Sequence, residues 1–185
     1  GATIAQVTTS AGTAGNGGSL EQSAIVAGGA LNGVWDNNIL WVGAGSSVFL
    51  RSGSAVLNRL TGLPTTGTVR DLTINRANWR QAFYIDNNQV VMTTDAGATW
   101  TDITGNLMSY TTDLRTIAFV STPLFDGLLV STFHGVYLTP LNNFGTTGEW
   151  TKLGLDLPNV MTFDMEYDST DDVVILGTMG RGTWL

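Results

Sequence analysis

The chain repeats itself, and that repeat constrains its fold more than any other feature. Four segments open alike: Ser23-Ala-Ile-Val-Ala, Val69-Arg-Asp-Leu-Thr-Ile, Leu114-Arg-Thr-Ile-Ala-Phe and Thr162-Phe-Asp-Met-Glu-Tyr, at spacings of 46, 45 and 48 residues. In each, apolar and polar positions alternate at period two, the pattern of a strand with one buried face. A pair of strands follows in every unit, at 42–50, 84–92, 130–138 and 176–185. Each pair turns on residues that tolerate positive φ: Gly45-Ser46, Asp86-Asn87-Asn88, His134-Gly135 and Gly180-Arg181-Gly182. Phe49, Val91, Tyr137 and Trp184 then fall at equivalent positions and are expected to be buried. A fourth strand is read at 55–60, 99–103 and 149–153, and short Gly/Pro connectors (62–64, 156–158) lead to the next unit.

Four antiparallel strands in a unit of about 45 residues make the blade of a β-propeller. A β-sandwich also spaces its strands evenly, but it gives no reason for like residues at like positions. The expectation is an all-β chain with blades at 23–68, 69–113, 114–161 and 162–185. The last unit stops after its third strand, and residues 2–9 alternate like a strand that lacks a partner. Residues 1–9 are therefore expected to supply the missing outer strand, after which 10–19 read as a flexible Gly/Ser/Ala loop. The same arithmetic suits about four blades closed in one chain. It equally suits an arc of a larger propeller, completed by self-association or by another chain.

Composition supports this reading and narrows the partners. Threonine (27) and glycine (23) favour strands and tight turns. Six Trp, seven Phe and four Tyr are ample for a core and exclude a disordered chain. Charged residues are 12% of the chain, about half the usual ~25%. The net charge is −7, with seven scattered Arg and the single Lys152, so nucleic acid and anionic membrane surfaces are poor partners. No apolar run approaches the ~20 residues of a membrane span. Without cysteine there is no disulfide and no thiolate metal site. The chain opens on Gly1 with no leader pattern behind it, which reads as a processed end, a cloning scar or the edge of a fragment.

Residues 93–100 carry the sharpest local motif, Thr93-Thr-Asp-Ala-Gly-Ala-Thr-Trp100. It resembles the Asp box, or BNR repeat, with Thr93, Asp95, Gly97, Thr99 and Trp100 at the matching positions. Physically this is a turn: Asp95 accepts bonds from its own backbone, Gly97 is permissive, and Trp100 packs beneath. The equivalent stretches are degraded, 51–54 lacking the Asp and 139–150 keeping only Trp150. The finish, Gly177-Thr178-Met-Gly180-Arg181-Gly182-Thr-Trp184, is similar to the end of many secreted bacterial propellers. Together the motifs resemble the sialidase-like and sortilin-like Asp-box propellers. Sialidases, xyloglucanase-type glycosidases, sortilin-type receptors and photosystem assembly factors belong to that group. The resemblance implies the fold and an extracellular or cell-surface location. It says little of function, because the box sits at the blade periphery in those families.

Several residues could carry chemistry. A sialidase resemblance would require three gathered arginines, a Tyr–Glu pair and an Asp; Arg70, Arg115 and Arg181, with Glu166, Tyr167 and Asp168, match by type. The early Arg-Ile-Pro signature is absent, and Arg70 and Arg115 occupy matched repeat positions, as a structural contact would. Asp164, Glu166 and Asp168 alternate along one strand and share a face, which would suit two-carboxylate glycoside hydrolysis or simply solvation. Asp171 and Asp172 sit in a turn without a calcium-loop pattern. His134 is the only histidine, so no zinc cluster or supported relay exists, and a turn role is the plainer reading. Trp35 and Trp79 could stack on sugars or fill the core. No cofactor and no metal is expected. Two function classes remain: a non-catalytic secreted module that binds protein or glycan or serves as a structural component, and a piece of a glycoside hydrolase whose catalytic residues lie elsewhere.

Overall fold

A computed structural model of the chain describes residues 23–53, 56–64, 67–141, 149–154 and 161–184. It is an all-β structure of four antiparallel sheets set in a ring, a four-blade β-propeller. Blade 1 contains β1 (Ser23–Leu31), β2 (Val34–Ala44), β3 (Ser47–Arg51) and β4 (Asn58–Arg59). Blade 2 contains β5 (Asp71–Ile74), β6 (Ala82–Ile85), β7 (Val90–Thr93) and β8 (Thr101–Asp102). Blade 3 contains β9 (Leu114–Ser121), β10 (Asp126–Thr132), β11 (Gly135–Pro140) and β12 (Thr151–Lys152). Blade 4 contains β13 (Thr162–Asp168), β14 (Val173–Thr178) and β15 (Thr183–Trp184). Within each sheet the strands pair in chain order. Among the described residues, Leu107–Ser109 forms a single 3₁₀ turn. The expected pairing of residues 2–9 with the last blade falls outside the described residues, as does the connector at 156–158.

Two strand readings need correction. The first hairpin is longer than expected: β1 and β2 run on to Leu31 and Val34 around Asn32-Gly33. Both turn residues have positive φ, 52° and 78°, which is the geometry an Asn-Gly hairpin turn demands. The fourth strands, by contrast, shrink to two residues each, 58–59, 101–102 and 151–152. Just beyond them the Leu60, Ile103 and Leu153 amides still donate to Val48, Val90 and Val136 of the third strands.

The period-two alternation is spent on two different cores at once. On β6, Ala82 and Tyr84 face blade 1, while Phe83 and Ile85 face blade 3. The blade 1–2 seam holds Ala24, Trp41, Val48 and Leu50 against Leu72, Ile74, Tyr84 and Val91. The next seam packs Phe83, Ile85 and Val90 against Leu114, Ile117, Leu128, Val130 and Trp150. The third sets Ala118, Val120, Leu129 and Val136 against Met165 and Leu176. Close approach imposes its own residue choice: a Cβ at Gly43 would stand 2.5 Å from Val69 Cγ1, across the first seam. Phe49, Val91 and Tyr137 are buried as expected, and Trp184 is half-buried.

Candidate functional site

The first strand of each blade lines the middle of the ring, where β1, β5, β9 and β13 surround a cavity of about 540 Å³. Its wall is polar and acidic. Asp71 and Thr73 come from β5, Phe119 and Ser121 from β9, and Asp164, Glu166 and Tyr167 from β13. Asn75 and Arg76 follow β5, and Ile25 and Val26 complete the wall from blade 1. Three carboxyl groups against one guanidinium make this a cation- and hydroxyl-seeking surface.

The carboxyl groups differ in their freedom. Asp71 accepts from Thr116 Oγ1 at 2.5 Å, from the Ile117 amide at 2.8 Å and from the Leu72 amide at 2.8 Å. It thereby ties β5 to β9, as does Thr73 Oγ1, which accepts from the Phe119 amide at 3.2 Å. Burial pushes the Asp71 carboxyl above its ordinary range, against those hydrogen bonds. Asp164 and Glu166 are exposed to the cavity. Tyr167 Oη lies 2.7 Å from Ser121 O and 2.8 Å from Asp172 Oδ1, and burial together with that carboxylate pushes its phenol up. A phenol so held suits a strut better than a nucleophile.

The arginine and histidine candidates lie at the other end of the ring. Antiparallel succession brings the start of each inner strand beside the turn between second and third strands. The Val69 amide accordingly donates to Gly45 O at 2.7 Å, and the Leu114 amide to Asn87 O at 2.9 Å. Arg70 and Arg115 meet there on one carboxylate, Asp113, which Arg115 Nη2 reaches at 2.5 Å. Arg70 also donates to Leu114 O at 2.8 Å, and the Arg115 guanidinium covers the Phe133 ring at 4.2 Å. Their charge is therefore answered by the protein itself. Arg181 is exposed in the β14–β15 turn, where its carbonyl accepts from Trp184 Nε1, and His134 is exposed in the β10–β11 turn. None of these four lines the cavity. Nor do Trp35, half exposed on the first hairpin, or Trp79, which packs on the blade 1–2 core and whose carbonyl accepts from Trp41 Nε1 at 3.2 Å.

Residues 93–100 form a turn at the blade edge, closed by its own side chains. Thr93 Oγ1 accepts from the Gly97 amide at 2.9 Å. Asp95 accepts from the Thr99 amide at 2.9 Å and the Thr99 hydroxyl at 2.6 Å. Those bonds, with one from Thr93, hold the Asp95 carboxyl down to about 2. Gly97 sits at φ 83°, where a Cβ would meet Leu60 Cδ1 at 2.4 Å. Trp100 meets Tyr84 edge-on at 5.2 Å and Trp41 at 6.4 Å. At the chain end, Gly180 and Gly182 take positive φ, and Thr178 Oγ1 donates to Gly182 O at 2.6 Å. Gly177 pairs with Asp164 on β13.

Asp71, Thr73, Phe119 and Ser121 were not singled out from the sequence. The signal was available: they lie on the first strand of their units, the strand nearest the ring axis. Among the described residues, no cluster of three or more His, Asp or Glu is placed to hold a metal.

No family model and no curated protein matches the chain. Among solved structures, an ancestral GH74 enzyme superimposes with a TM-score of 0.58 over 83% of this chain, at 13% identity. The match spans 22% of that enzyme. YCF48, solved bound to a D1 peptide, aligns over 89% of this chain and 65% of its own length, with a TM-score of 0.39 and 12% identity. At these identities the first likeness is one of fold, and it defines the class of protein: a β-propeller.

Proposed function

We propose that the chain is a non-catalytic, secreted β-propeller module that binds a protein or glycan ligand in its central cavity. The observation that carries this reading is the cavity wall, where Asp164 and Glu166 stand free beside the rings of Phe119 and Tyr167. Carboxylates accept from sugar hydroxyls or from Lys and Arg of a protein segment, and aromatic rings give either ligand a flat apolar contact. The net charge of −7 draws cationic ligands toward the same mouth. The extracellular placement rests on the resemblance of residues 93–100 and 177–184 to Asp-box propellers.

A glycoside-hydrolase fragment is the second reading. It is favoured by three carboxyl groups in one cavity, one of them raised by burial. Against it, Asp71 is engaged in the blade 2–3 seam and Tyr167 is held at both sides of its hydroxyl. Binding to a glycan array and to basic peptides, compared between the native chain and an Asp164→Asn/Glu166→Gln variant, tests the proposal. The variant is expected to lose about tenfold or more in affinity with unchanged melting. Salt sensitivity identifies a cationic ligand, since neutral sugar binding responds little. Release of reducing sugar by the native chain, abolished in the variant, would overturn the non-catalytic reading.

A further inference from the structure

The central cavity has a direction. Its wall begins at Asp71 and Asp164, low on β5 and β13, and runs to Asn75, Arg76 and Ser169, past the ends of those strands. At a strand rise of ~3.3 Å per residue, the wall extends about 13 Å along blade 2. The Asp164 charge is felt at Asp71, and Glu166 follows two residues farther up β13, on the same side of the strand. Among the described residues of the wall the one cation is Arg76, at the far end, where its guanidinium donates to Ala27 O at 3.3 Å. The depth is therefore acidic.

The rim at that far end is apolar. On the β1–β2 hairpin, Val34 is 71% exposed and Trp35 51%. This hairpin is held in place: the Ala30 amide donates to Arg76 O at 2.7 Å, and the Trp79 amide to Ala30 O at 3.0 Å. The Trp35 ring is fixed in turn by Nε1, which donates to Asn37 Oδ1 at 2.7 Å. Two blades on, the β9–β10 turn presents Leu124 at 91% exposure. There Thr122 Oγ1 accepts from the Leu124 and Phe125 amides at 3.2 and 3.1 Å, and Phe125 packs into the blade 3–4 core. The turn is closed, and Leu124 is held outward. Aliphatic tips give a sugar neither a flat ring nor a hydrogen bond; they suit the apolar side chains of a polypeptide.

We propose that the ligand is a segment of another protein, which lowers a Lys or Arg side chain into the cavity toward Glu166 and Asp164 while its flanking apolar residues close on Leu124, Val34 and Trp35. The proposal rests on the cavity being the binding site. Cavity and rim then divide the work of recognition: the carboxylates select charge through charge-assisted hydrogen bonds, and the tips select the neighbours of the charged residue. Because both hairpins are already tied down, little ordering is left to be done on binding. The net charge of −7 steers a basic segment toward the mouth.

A peptide array tests this, with every amino acid in turn at the centre of leucine-flanked and of serine-flanked peptides, read beside a glycan array. The native chain is compared with Glu166→Gln and with Leu124→Ser, both at exposed sites, and melting is recorded for each. Peptides centred on Lys or Arg are expected to bind about tenfold or more above those centred on Gln. Glu166→Gln should erase that preference in both sets. Leu124→Ser should keep it and remove the advantage of leucine flanks. An absent preference for Lys and Arg, or leucine flanks indifferent to Leu124→Ser, would overturn the proposal. Glycans bound by the native chain and lost in Glu166→Gln, with no peptide held, would overturn the ligand class and leave the cavity as the site. Peptide binding that ignores Glu166→Gln, with no glycan bound, would remove the cavity reading as well.

Discussion

At the scale of single residues, the turn at 93–100 shows how side chains can stand in for a ladder. Between β7 and β8 the backbone amides of Gly97 and Thr99 have no strand partner. The Thr93 hydroxyl and the Asp95 carboxylate accept from them instead. Thr93 is buried, and so is Gly97, whose amide has no route to water. Replacing Thr93 with Val keeps the shape and removes the acceptor. The expected cost is about 1–3 kcal/mol, read from chemical denaturation, since a buried donor is left without its bond. Unchanged stability in Thr93→Val would contradict this account of the turn.

At the scale of strands, the blades are joined by polar bridges as well as by packing. Asp71 binds the hydroxyl of Thr116 and the amide of Ile117, and so holds β5 against β9. Asp71→Ala strips both donors of their acceptor and should cost about 1–3 kcal/mol, whereas Asp71→Asn retains a carbonyl oxygen and should be milder. The raised carboxyl adds a sign. Because Asp71 holds its proton more tightly in the folded chain than its ordinary value of 3.8, the native protein loses stability from this group as pH rises through and above that value. Asp71→Asn has no such titration. Its stability relative to the native chain should therefore improve from acidic toward neutral pH, and a difference that is flat or reversed would show the bridge to be dominated by its hydrogen bonds.

For the whole molecule, the seams are unequal. Among the described residues, the first two bury eleven hydrophobic residues each, including Trp41 in one and Trp150 in the other. On the same basis the third buries six, of which blade 4 contributes Met165 and Leu176. Free energy of opening follows buried apolar area, so blade 4 should detach before the others. Hydrogen exchange is expected to show β13 and β14 exchanging ahead of β6 and β10. Equal protection of all four blades would refute this ranking.

Much of this architecture was legible in the chain itself. A 45-residue repeat of alternating strands leaves few ways to bury both faces of every sheet, and blade order, inner strands and hairpins followed from it. Asn32-Gly33 was an equally plain turn signal, overlooked because it lies inside a run of strand-like residues. Turn chemistry at 93–100 was also readable, since it depends on residues within eight positions of one another. What the chain could not disclose depends on contacts between units some 45 positions apart. Arg70 reaches Asp113, which Arg115 already pairs with locally, only because blades 2 and 3 abut, and so two apparent ligand-binding cations are answered by one internal carboxylate. Asp71 and Asp164 stand at the same place in their repeats, yet Asp71 is tied to Thr116 and Ile117 of the next inner strand while Asp164 is exposed to the cavity, a difference set by the packing of blade 3 on blade 2. Local pattern decides which way a side chain points; what it meets there is decided by the ring.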